Sequence, residues 1–148
     1  MIKVVTDCKL ARYDIQDVCK FLIGTLYGHQ VVDLNIVENP RLLKRLSNDR
    51  LEVNAILTSP LPHVYIMYVK DGFHDIDILC HEIVHLDQYE RGDLFISPDY
   101  KEITWEGRKY DASLPYDERP WENEAFFKQG ALLNAYKKNL KGKPYKRP

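Results

Sequence analysis

No stretch of this chain approaches the roughly 18 apolar residues that a membrane-spanning helix needs, so no membrane partner is expected. Nor does the N-terminus join a charged segment to an apolar run, the mark of a secretory leader. A soluble cytoplasmic protein is expected, released by lysis or associated with the virion should the source be a virus. Cysteine is scarce. Cys8, Cys19 and Cys80 are odd in number and lack the paired spacing of a disulfide framework or a cysteine metal site, and they read as reduced thiols. Charge of one sign is lacking as well: 21 basic against 22 acidic residues give a net charge of −1, and nothing marks nucleic acid as a partner. The basic tail, with Lys137, Lys138, Lys141, Lys143, Lys146 and Arg147 around Pro144 and Pro148, reads as a solvated end frayed from about residue 141. Repeats, low-complexity tracts and linkers are absent, and 148 residues that are 45% apolar suit one domain from 1 to 148.

What is present is His81-Glu82-Ile83-Val84-His85. Histidines four apart on a helix lie one turn above each other, with Cβ atoms roughly 5 to 6 Å apart, so both rings can reach one metal ion. Glu82 is rotated by about 100° from His81, beside the ligand pair and placed to take a proton from a water there. The bland alternative is a surface helix with two half-exposed histidines and a solvated glutamate.

Whether the segment is helical is read from its spacing. Ile76, Leu79, Ile83 and Leu86 draw one apolar stripe along a helix from about Phe73 to Arg91, ended by Gly92. His81 and His85 lie off that stripe. Asp77, four residues before His81, is placed either to accept the other ring N–H of His81 or to meet the helix dipole as a first-turn carboxylate. His74 is about 10 Å up the axis, too far to join the same ion, and reads as a surface residue. Cys80 reads as a buried helix cysteine.

A hydrolytic zinc site takes three protein ligands and leaves one position for water. A third histidine after a glycine is ruled out, because Gln88 and Arg91 stand where that pattern needs them. A later helix offers a glutamate. Pro120 opens it, Glu122 and Glu124 lie in its first turns, and Ala131, Leu132, Leu133 and Tyr136 carry an apolar pattern towards Leu140. Glu122 and Glu124 are about 200° apart around the helix, so only one faces the ion.

The rest of the chain reads as α+β. A strand is expected over Ile2 to Val5. A helix capped by Asp14 follows, with Ile15, Val18, Cys19, Leu22 and Leu26 on its apolar face and Gly28 at its end. Strands are expected over Val31 to Val37 and Leu51 to Leu57, with a helical turn or two over Pro40 to Leu46 between them. Val64, Tyr65, Ile66, Met67, Tyr68 and Val69 form a further strand ahead of the motif helix. Ile103-Thr104-Trp105 and Arg108-Lys109-Tyr110, joined around Gly107, suit a hairpin.

The two motifs together, His81 to His85 followed by Glu122-Asn123-Glu124-Ala125, resemble the zincin metallopeptidases with a glutamate third ligand, especially compact ones such as the ImmA/IrrE family. The intervening Trp105-Glu106-Gly107 and Tyr110 are similar to small zincins of phages and bacteria. Phe126 departs from the Asp or Asn usual at that position. The resemblance implies a compact zincin-like domain, with a small mixed or antiparallel sheet packed on the active-site helix and a second metal-ligand helix. It also implies one zinc ion per chain on His81, His85 and Glu122, with Glu124 as the alternative, and Glu82 as general base in peptide-bond hydrolysis. Val64 to Val69 is then the strand on which a peptide substrate pairs, or else an interior strand with no such role. Tyr116, Tyr110, Arg108 and Arg119 are candidate donors to the oxyanion. A different class is a zincin-shaped structural or interaction protein, such as a viral assembly component, whose metal site is stabilising or vestigial. Retention of Glu82 argues against that, since a structural site has no need of a base.

Overall fold

The structure, a computed structural model, describes residues 1–10, 12–27, 31–47, 54–97 and 100–140. Its elements are β1 (Ile2–Thr6), α1 (Ile15–Tyr27), β2 (Val32–Glu38), α2 (Pro40–Leu46), β3 (Ala55–Leu61) and β4 (Val64–Val69), then α3 (Ile76–Glu90), β5 (Leu94–Ile96), β6 (Glu102–Trp105), β7 (Arg108–Asp111) and α4 (Pro120–Leu140). The fold class is α+β. Each of the first three helices begins on a side chain that accepts its loose backbone N–H groups: Asp14 takes those of Gln16 and Asp17, Asn39 that of Leu42, and Asp75 those of Asp77 and Ile78. The expected stop at Gly28, the start of the third strand at residues 51–53 and the basic tail from residue 141 lie outside the described residues.

Four strands make a mixed sheet in the order β1-β2-β4-β3, with β1, β2 and β4 parallel and β3 antiparallel. This corrects the substrate-strand expectation for Val64 to Val69. That strand is interior, with Leu34 of β2 opposite Tyr65 on one side and Leu57 of β3 opposite Met67 on the other. Its backbone groups serve two neighbours and offer none to a further chain. Among the described residues the sheet edges are β1 and β3.

A second sheet, β5-β6-β7, is antiparallel. Glu106 and Gly107 turn β6 into β7 with φ values of 48° and 80°, so both turn residues are left-handed, as a two-residue hairpin loop that follows the strand twist requires. Leu94, Ile103 and Trp105 from this sheet pack with Trp121 in a small core of their own.

The main core joins α1, α3 and α4 to the first sheet, through Val18, Leu22, Leu34, Met67, Leu79, Ile83, Leu86 and Leu133 among others. In α3 every residue from Leu79 to Gln88 is buried. Apolar residues there need no explanation, but His81, Glu82, His85, Asp87 and Gln88 do, because polar groups stay buried only when partnered. The far end of the helix is tied to the β3–β4 hairpin by Glu90, which accepts from Tyr65 Oη (2.5 Å) and pairs with His63 Nδ1 (2.8 Å). Among the described residues no helix is long and apolar enough to cross a membrane.

Candidate metal centre

His81 and His85 stand one turn apart on α3, their ring centroids 4.8 Å apart. Glu122 reaches them from the first turn of α4, with Oε1 at 3.1 Å from His81 Nε2 and 2.5 Å from His85 Nε2. Ligand atoms of the three residues lie within 4.8 Å of one another. Two imidazole nitrogens and one carboxylate oxygen, in a largely buried setting, form a donor set suited to zinc. Glu124 faces elsewhere, as the angular separation requires. It pairs with Arg91 and accepts from Gln88 Nε2 at 3.2 Å, with Lys128 Nζ at 3.7 Å.

The start of α4 is held on both sides. Buried Trp121 packs near Trp105 and Tyr110, at ring-centroid distances of 6.5 and 5.3 Å. Arg119 donates from Nε to the Leu114 carbonyl and from Nη2 to that of Ala112, each at 2.8 Å, which braces the segment entering the helix.

The electrostatics follow from burial and crowding. Burial raises the Glu82 carboxyl to about 7, against the opposing pull of His85, His81 and a hydrogen bond from the Leu57 backbone N–H. Burial by itself would lower His85, but the charge of Glu122 and its hydrogen bond prevail and raise the ring to about 9. Burial likewise opposes ionisation of Glu122, and the two histidines outweigh it, holding this carboxyl well below the usual range.

These shifts predict a pH dependence for the metal-free protein. Stabilisation from His85 is complete below its ordinary value of 6.5 and is lost as pH rises through about 9. Glu82 acts in the same direction, since a carboxyl raised from 4.5 to about 7 loses stability as it ionises in place. Glu122 contributes throughout this window and loses its effect only in strong acid. The metal-free Tm should therefore fall between about pH 6 and about pH 9. A zinc ion taken up at this site would have to displace the His85 proton, so its affinity should rise over the same interval. Thermal melts with and without zinc check both, and a metal-free Tm that climbs across this range contradicts the pairing.

Two partners of the histidines were not foreseen. His81 Nδ1 lies 2.7 Å from Gln129 Oε1 and His85 Nδ1 lies 2.8 Å from Gln88 Oε1. Gln129 takes the place expected of Asp77, which is exposed in the first turn of α3 beside its cap. Gln88 carried a signal, being three residues from His85 and hence on the same helix face. Gln129 carried none, because only the crossing of α4 over α3 brings it near.

Of the oxyanion candidates, Tyr116 comes closest, with its Oη 3.4 Å from His81 Nε2. Burial and the charges of Glu122 and Glu82 push its phenol up, so it remains an O–H donor. Tyr110 packs on Trp121, Arg108 is exposed on β7, and Arg119 is engaged with carbonyls. His74 bonds the Gly72 carbonyl at the surface (2.9 Å), and Cys80 is a buried free thiol raised to about 12 by burial.

The site opens into a cavity of about 620 Å³. Its walls include Ala55, Ile56 and Leu57 of β3, Ile78 of α3, Ile103 of β6 and Phe126 of α4, the last 71% exposed. Tyr100 also lines it and donates from Oη to the Leu57 carbonyl at 3.2 Å. No family model matches the chain, and neither a curated protein nor a solved structure matches it.

Proposed function

We propose that the chain is a zinc-dependent peptidase in the manner of the glutamate-completed zincins, with His81, His85 and Glu122 holding one zinc ion. One observation carries the reading: Glu82, a buried carboxylate whose burial holds its carboxyl at about 7, opens into the same cavity as three convergent ligands. When bound, zinc supplies Lewis acidity, acidifying a water and polarising the carbonyl to be cut. Glu82, raised to about 7, is suited both to accept a proton from that water and to return it to the leaving amine. Tyr116 Oη provides a hydrogen bond for the developing oxyanion.

A peptide needs a seat, and β3 suits one. Among the described residues it has a single sheet neighbour, and Ala55 to Leu57 border the cavity next to Glu82. The Leu57 N–H and carbonyl on that edge are held by Glu82 and Tyr100, so a substrate is gripped there through its side chains, and the apolar walls favour bulky apolar ones. Three free thiols suit a reducing, cytoplasmic setting.

Metal analysis tests the reading directly. Protein purified without added zinc should carry close to one zinc per chain, and a chelator should end peptide hydrolysis. A folded chain that takes up no zinc would refute it.

A further inference from the structure

Gln88 is fully buried, and its amide spans the gap between the two helices that carry the ligands. Its Nε2 lies 2.9 Å from the Trp121 carbonyl and 3.2 Å from Glu124 Oε1, and its Oε1 lies 2.8 Å from His85 Nδ1. A carbonyl oxygen can only accept, so the group facing Trp121 must be the NH2 of Gln88. The amide oxygen then faces His85. That oxygen also only accepts, so Nδ1 of His85 must carry a hydrogen, and in the neutral ring the lone pair belongs to Nε2, on the side of Glu122. One backbone carbonyl on α4 thus fixes, through one amide, which nitrogen of a ring on α3 is free to bind.

We propose that Gln88 is the positioning residue that sets the tautomer and aim of His85, and that it does so from an anchor adjoining Glu122. The inference rests on the zinc site proposed above. Trp121 directly precedes Glu122, so the same hydrogen bonds that orient one ligand also register it against the helix turn that bears another. Both amide hydrogens and the amide oxygen are used, and no rotation of the side chain satisfies the three partners a second way. The acceptor on His85 is neutral, where a carboxylate would add charge to the site.

The experiment is zinc affinity by chelator competition, with Tm recorded on the same metal-free samples. Gln88→Leu, which keeps bulk and removes every polar atom, should weaken zinc binding about 10- to 100-fold. Gln88→Glu keeps an acceptor for His85 but gives up the donors and sets a carboxylate beside Glu124. It should lower Tm and weaken zinc binding by less than Gln88→Leu does, because the acceptor for His85 is kept while the anchor on Trp121 is lost. A purely structural role would lower Tm in both variants with neither Kd changed, and that overturns the inference. Should Gln88→Leu not fold, the zinc-loaded parent decides by NMR: a slowly exchanging Nδ1–H on His85, retained in Gln88→Glu, supports it, and a rapidly exchanging one overturns it. A parent that binds no zinc refutes the peptidase and this inference together, whereas an unchanged Kd in folded Gln88→Leu refutes only the latter.

Discussion

Glu122→Ala should lose zinc under conditions where Glu124→Ala retains it. Two residues on the same helix turn, identical in chemistry, differ in what they touch: Glu122 has both Nε2 atoms within 3.1 Å, and Glu124 has Arg91 and Gln88. Loss of a direct ligand costs more than the roughly 10- to 100-fold typical of residues that merely orient ligands, so the Kd should weaken by more than about 100-fold. Glu124→Ala breaks a half-exposed ion pair, which contributes on the order of 0 to 1 kcal/mol to stability, and it leaves the three ligands in place. Competition with a chromophoric chelator gives both constants. Equal retention in the two variants would reject the assignment of Glu122.

Glu82→Gln should keep the metal, abolish hydrolysis and raise stability. The substitution preserves shape and an oxygen for the Leu57 N–H while removing the proton-accepting carboxylate, and general acid–base groups are worth about 10²- to 10⁴-fold in rate. Stability follows from the sign of the shift. A carboxyl raised by burial is destabilising once ionised, so above about pH 7 the neutral amide should melt at a higher temperature than the parent. Gain of stability with loss of turnover is the mark of a group kept for chemistry. A variant that cleaves peptides at the parental rate would remove Glu82 from the role of base, and would favour the structural or interaction protein.

Local features of the fold were legible where a periodicity or a cap reports on its own neighbours. The helix over the histidine pair, the Asp14 cap, the Pro40 and Pro120 starts and the hairpin around Gly107 all rest on residues within a turn or two of one another. Partnership across the chain was not legible in the same way. Alternation in Val64 to Val69 shows that one face is buried but is silent on how many neighbours the backbone has, so an interior strand and an edge strand look alike. Asp77 was an expectation from spacing within α3, and the actual partner of His81 arrives from another helix 48 residues away. At the site, local spacing could say that only one of Glu122 and Glu124 faces inward; which one does so is decided by the packing of Trp121 against the second sheet.

That second sheet has a consequence for the order in which the molecule assembles. The segment from β5 to β7 lies in the chain between His85 and Glu122, ligands 37 positions apart (122 less 85), and it has a separate small core closed by Trp121. A metal bound across this interval acts as a cross-link around a folded loop, and its release is coupled to the opening of that loop. Metal loss and local opening of the small sheet should then be linked, and the protease sensitivity of the β5 to β7 segment should report occupancy of a site whose cavity this segment helps to wall.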